Sequence, residues 1–158
     1  MQPDRTEHQL DPMVTAAVFG AIDRAFNRAG LPSLPRPATT RLPDLYAYWL
    51  KAAATLGEDL ALNVASDIPV GGLGVVSYAV VSMPNLGEAL DTLARDYLTK
   101  LIPGMSLRVV PVTREHVEVR ISAEGDPAMT PYLEEIALGM IVKHLPLLQS
   151  AIPILAVS

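Results

Sequence analysis

The residues able to carry proton, metal or nucleophilic chemistry are few and scattered along the chain. The histidines stand at 8, 116 and 144, in a polar terminal stretch, a turn and a helical pattern, and no two share ligand spacing. Cysteine is absent, which removes thiolate nucleophiles, thiolate zinc sites and disulfides together. Glu134 and Glu135 are neighbours, so on a helix they point about 100° apart and form no carboxylate dyad. Near a helix start they suit the positive end of the dipole instead. Gly71-Gly72-Leu73-Gly74 is glycine-rich, but no Lys-Ser/Thr follows it, so it reads as a structural turn rather than a phosphate cradle. No dinucleotide fingerprint, HExxH or GxSxG occurs. The reading is non-enzymatic, with no metal and no cofactor.

What remains are side chains suited to recognition. Tyr46, Trp49, Tyr78, Tyr97 and Tyr132 stand out in a chain that is only 5% aromatic. Each joins an apolar ring to a polar tip, as the wall of a ligand pocket requires. Core packing accounts for Trp49 and Tyr97 equally well. Tyr78 is the favoured wall residue, a hydroxyl inside an otherwise apolar run, with Ser77 beside it as a second donor. Met140 would suit an adaptable wall. His144, on the same apolar stripe as Met140 and Ile141, has two readings. It hydrogen-bonds a ligand's carboxylate or hydroxyl, or it is a core histidine bonded to a backbone carbonyl; the second is preferred. The candidate ligand contacts are therefore Tyr46, Trp49, Ser77, Tyr78, Tyr97, Met140 and His144.

The elements that must position these groups can be read from periodicity and punctuation. Residues 1–10 lack periodicity and read as a tail; residues 11–158 read as one domain. Asp11-Pro12 opens a helix, with Val14, Ala17, Val18, Ala21, Ile22, Ala25 and Ala29 at helical spacing and Gly30 beyond its end. LPSLPRPATT (31–40) is too rich in proline for regular structure. A second helix runs from Leu42 to Leu56, with Leu42, Leu45, Trp49, Ala52, Ala53 and Leu56 on its apolar face. A short third follows from Glu58 to Ser66.

The stretch Gly71–Leu101 is the expected centre of the fold. Its apolar part, Gly72 to Met83, is ambiguous between helix and strand by composition alone. After Met83-Pro84, Asn85 caps an amphipathic helix to Leu101, with Glu88 three residues on as in a capping box. Pro103-Gly104 then changes the period to two. Leu107, Val109 and Pro111 alternate with Arg108 and Val110, and Val117, Val119 and Ile121 with Glu118 and Arg120, about a turn at 113–116, which gives a β-hairpin over 106–122. A final helix starts at Thr130-Pro131 and covers the hairpin with Leu133, Ile136, Ala137, Met140, Ile141, His144, Leu145 and Leu148. The closing IPILAVS reads as a further strand, and it stops on an apolar run as if the natural chain continued. The fold class is α+β: helices packed around a central apolar helix with a small antiparallel sheet.

Composition bounds the partners. The net charge is -5 and the Lys and Arg residues are dispersed, so the chain has no nucleic-acid footprint of its own. The N-terminus is polar and is no signal peptide, and the longest apolar run, Leu73–Met83, falls well short of the ~20 residues that span a bilayer. A cytoplasmic protein is the simple reading. Half the residues are hydrophobic and 18% are charged, so surplus apolar surface must line a cavity or an oligomer face.

The phrases LYAYWLKAAATLGEDLALNVAS (45–66), GGLGVVSYAVVSMPNLGEALDTLARDYLTKL (71–101) and HVEVRISAEGDP (116–127), in this order, resemble one family. It is the N-terminal, arabinose-binding-like effector domain of AraC/XylS-type transcription regulators. The apolar pattern from Tyr132 to Leu148 and the closing IPILAV fit it too. The chain departs from the family in its proline-rich 31–41 and in lacking a Gly-Leu near Leu62-Asn63-Val64, and nothing in it matches the family's helix-turn-helix motifs. The resemblance implies helix over 72–83. It also implies a sensor half that binds a small-molecule effector, forms a homodimer, and touches DNA only through a half not present here. The hydrophobic composition favours an apolar or amphipathic effector over a sugar. A structural dimerisation module without ligand is the alternative.

Overall fold

The computed structural model describes residues 10–98, 102–114, 116–144 and 147. Helix α1 spans Pro12–Arg28, where Asp11 accepts the Met13 N–H at 2.7 Å and proline occupies the first turn. Its buried face includes Phe19, Ala21, Ile22, Ala25 and Phe26. That face is rotated from the expected stripe: Ala29 is exposed, while the two phenylalanines, which remove more apolar area from water, turn inward. Leu10, assigned to the tail, is buried, and its N–H donates to the Thr40 carbonyl. The proline-rich connector is pinned by Arg36, which pairs with Asp23 and lies 5.6 Å over the Phe19 ring.

Helix α2 occupies Leu42–Leu56 and stops at Gly57, whose φ of +91° suits glycine. It buries Leu42, Leu45, Tyr48, Trp49, Ala52 and Ala53. Helix α3 spans Leu60–Asp67; it begins later than expected, and Asp59 makes no side-chain cap. Its carboxyl end is held by cations from two other helices. Lys143 donates to the carbonyls of Ser66 and Ile68, Arg24 to that of Asp67 at 2.9 Å, and Arg28 pairs with the Asp67 carboxylate at 2.6 Å. Positive charge there complements the dipole and satisfies carbonyls that the helix leaves free. Lys143→Met is expected to lower stability by about 1–2 kcal/mol, read as a lower urea midpoint with unchanged slope.

The apolar run forms helix α4, Val75–Val81, shorter than the expected 72–83. It is also not enclosed: Val76 and Ser77 are buried, but Val75 is 76% and Tyr78 60% exposed. Tyr78 does not turn into the core. Its phenol lies over Gly71, where a Cβ would stand 2.6 Å from the hydroxyl oxygen and φ is +89°. Asn85 caps helix α5, Leu86–Thr92, with Oδ1 accepting the Glu88 N–H and Nδ2 donating to the Glu88 carboxylate, both at 2.9 Å. The helix expected to run regularly to Leu101 instead passes into a π turn over Leu93–Tyr97. Residues 99–101 lie outside the described residues.

Strands β1 (Met105–Pro111) and β2 (Val117–Ala123) pair antiparallel, Leu107 opposite Ile121 and Val109 opposite Val119. These four share one face, as the period of two requires. Helix α6, Thr130–His144, packs on β2 and on α3. Thr130 is its first residue rather than its cap, and its hydroxyl donates to the Asp126 carbonyl at 3.1 Å. Glu134 ties the layers together by accepting the Ala123 N–H at 3.0 Å.

Two apolar clusters result. The first joins α1, α2 and α3 with Met129 and Met140. The second joins α4, α5, the π turn and the hairpin, with Ala137 and Ile141 against it. Helix α6 therefore divides the interior, and α4 belongs to the second cluster instead of standing at the centre. The α+β class expected from sequence is the class observed. The expected strand at 152–158, and Leu145, Pro146 and Leu148, lie outside the described residues.

Candidate functional site

Helix α6 carries Met140 on one side and Ile141 on the other, and His144 follows one turn after Met140. The His144 Nδ1 stands 2.6 Å from the Met140 carbonyl oxygen. A carbonyl only accepts, so a proton is assigned to Nδ1, and in the tautomer that this defines Nε2 is an acceptor. Nε2 is buried and has no hydrogen-bond partner among the described residues. The ring is part of the wall of a cavity of about 30 Å³, shared with Val80 of α4, Leu86, Ala89 and Leu90 of α5, Leu93 of the π turn, and Ile141. That volume admits about one water-sized group. The preferred reading of His144, a buried ring bonded to a backbone carbonyl, describes one of its nitrogens. The other remains unpaired beside an apolar cavity.

Ser77 is the second buried polar group of this region. It lies on α4 one turn before Val80, with an Oγ that also has no partner among the described residues. Tyr97 ends the π turn, half-buried against the second cluster. Tyr78 is on the outside. The remaining candidates belong to the first cluster. Met140 is buried there, and Trp49 meets Tyr132 with ring centroids 5.9 Å apart while its indole N–H is buried and has no partner among the described residues. Tyr46 is half-buried, and burial, then the charge of Asp126, raises its phenol above the usual tyrosine range. The structure thus brings Ser77, Tyr97 and His144 to one region and Tyr46, Trp49 and Met140 to another.

Tyr48 escapes the sequence reading. It is buried edge-on to Phe19, centroids 5.0 Å apart, and its hydroxyl has no partner among the described residues. Its place between Leu45 and Ala52 on the apolar face of α2 was the available signal. Burial raises its phenol as well, with the Asp23 charge adding to the effect. Between the ordinary and the raised value the folded chain keeps a proton that the unfolded chain has released, so stability falls as alkaline pH rises. Titration by phenolate absorbance should show two late-ionising tyrosines. Tyr46→Phe and Tyr48→Phe should each remove one and flatten the alkaline loss.

Among the described residues no three His, Asp or Glu side chains gather as metal ligands. No helix among them is long and apolar enough to cross a membrane. No curated protein and no solved structure matches the chain. One family model does match, over residues 20–158; its description is the arabinose-binding domain of AraC transcription regulator, N-terminal.

Proposed function

Because this chain belongs to the N-terminal arabinose-binding domain family of AraC transcription regulators, we propose that it senses a small molecule and relays the binding event to a DNA-binding half of the regulator. The family is one of regulatory ligand-binding domains and not of enzymes. Its match over residues 20–158 is the observation that carries the reading. The dispersed basic residues and net charge of -5 support leaving DNA contact to another part of the regulator. The effector is apolar or amphipathic, the setting is the cytoplasm, and the working state is a homodimer. A ligand drives such a switch only through different affinities for its two states.

Thermal unfolding against a metabolite panel that includes L-arabinose tests this. An effector at a hundred times its Kd contributes about 2.7 kcal/mol, which in a chain of this size raises Tm by about 5–10 °C. A panel without one saturable shift would count against sensing. The alternative, a structural dimerisation module, draws on Val75 and Tyr78, which stand three residues apart on one face of α4, both exposed. Sedimentation of Val75→Asp checks it: a ligand-insensitive dimer that this change dissociates would favour the module.

A further inference from the structure

The cavity between α4, α5 and α6 is lined, among the described residues, by aliphatic side chains and by the His144 ring, whose buried Nε2 has no hydrogen-bond partner among them. We propose that this is where the effector is anchored, and that the effector is an aliphatic molecule with a terminal hydroxyl, an alcohol rather than a free sugar. The proposal rests on the sensor reading and gives it a location and a ligand chemistry.

The hydrogen-bond inventory sets the chemistry. Nδ1 is committed to the Met140 carbonyl, so in the tautomer that this bond defines Nε2 is an acceptor and not a donor. A ligand atom that satisfies Nε2 must carry a hydrogen, and a hydroxyl does. An ether or a halide does not. A pentose carries hydroxyls on nearly every carbon, and walls of Val80, Leu90, Leu93 and Ile141 would leave most of them unpaired, which is costly against apolar side chains. An aliphatic tail asks nothing of those walls beyond contact.

The dimensions set the placement. About 30 Å³ accommodates the hydroxyl end alone, so the tail must part the elements that line the cavity. Helix α4 is the wall suited to yield. It has only seven residues, Val75 and Tyr78 expose most of one side to solvent, and Gly71 and Gly74, both at positive φ, precede it. The wall also includes Leu93, the first residue of the π turn, where the regular helical ladder is already interrupted. The hydroxyl sits on His144, the tail runs between α4 and α5, and α4 moves outward. Helix α6, which packs on both α3 and the hairpin, holds the anchor still.

The test uses n-hexanol and n-hexyl fluoride, matched in size, of which only the alcohol donates a hydrogen bond. Methyl NMR of the valine, leucine and isoleucine side chains reports where each binds, and titration reports how tightly. The alcohol should saturate with shifts at Val80, Leu90, Leu93 and Ile141 and bind at least about tenfold tighter than the fluoride. In His144→Phe that preference should vanish while the fluoride still binds, which also shows that the variant is folded. Should the variant not fold, the alcohol–fluoride difference in the natural sequence still decides. Equal affinities, shifts centred elsewhere, or no saturable binding of either probe overturns the proposal. L-arabinose titrated alongside keeps the two readings apart. Saturable arabinose shifts near Tyr46, Trp49 and Tyr132 with no alcohol binding would sink this site and leave the sensor standing. No binding by any probe would count against both.

Discussion

Phe26→Ala is expected to cost about 3–5 kcal/mol, the largest loss of any change considered, and to leave ligand binding intact in the folded fraction. Phe26 is only 1% exposed and belongs to the first cluster, formed by α1, α2 and α3. Truncation removes the transfer free energy of the ring and leaves a void, because close-packed neighbours collapse only partly. The His144 cavity belongs to the other side of α6, bounded by α4, α5 and the π turn. Urea denaturation should show a much lower midpoint. Probe affinity, measured well below the new melting temperature, should match that of the unchanged chain.

Gly139→Ala is expected to damage both stability and binding, although it adds a single methyl group. The new Cβ would stand 2.8 Å from the Ala65 Cβ, which has no rotamer by which to retreat. Helices α3 and α6 must therefore separate, at about 1–3 kcal/mol for overpacking of this kind. The displacement is transmitted along α6 to Lys143, which holds the carboxyl end of α3, and to His144 beside it. Alcohol affinity should fall with stability, in contrast to Phe26→Ala. Ala65→Gly should be destabilising by about 1 kcal/mol alone, yet should restore stability when combined with Gly139→Ala. A double-mutant cycle measures that coupling directly, and additive effects would argue against the close crossing.

How much of this was legible in the sequence depends on the distance over which each feature is determined. Helix α2 was readable because Gly57 ends a clear apolar period, and the observed limits, Leu42–Leu56, are those expected. The hairpin was readable because alternation fixes both the strands and their inward face, and Leu107 does stand opposite Ile121. The exposure of α4 was not. An apolar composition says what a segment can bury but not which partners arrive to cover it, and Val75 and Tyr78 stay mostly exposed. The π turn was equally hidden, since the spacing of Leu86, Leu90, Leu93 and Tyr97 fits a regular helix and only the backbone bonds distinguish the two.

The candidate site was half legible for the same reason. His144 announced itself as a polar residue on an apolar stripe. That Nδ1 would be spent on Met140 and Nε2 left beside a cavity depends on three helices meeting. Gly139 against Ala65, Lys143 on the end of α3 and Glu134 on Ala123 are contacts between segments far apart in the chain. Local pattern carries no information about them. Tyr48 is a different case, since its spacing three residues after Leu45 and four before Ala52 places it on the apolar face of α2.

The central claim is that this domain holds a small molecule, and mass spectrometry addresses it most directly. The purified chain, equilibrated with the small-molecule fraction of a cell extract, would be weighed under native conditions and again after denaturation. The account predicts one added mass per chain that is released on unfolding, proves to be an aliphatic hydroxyl compound, and is retained less by His144→Phe. Bare chain masses under every condition, in a protein that remains folded, would contradict it.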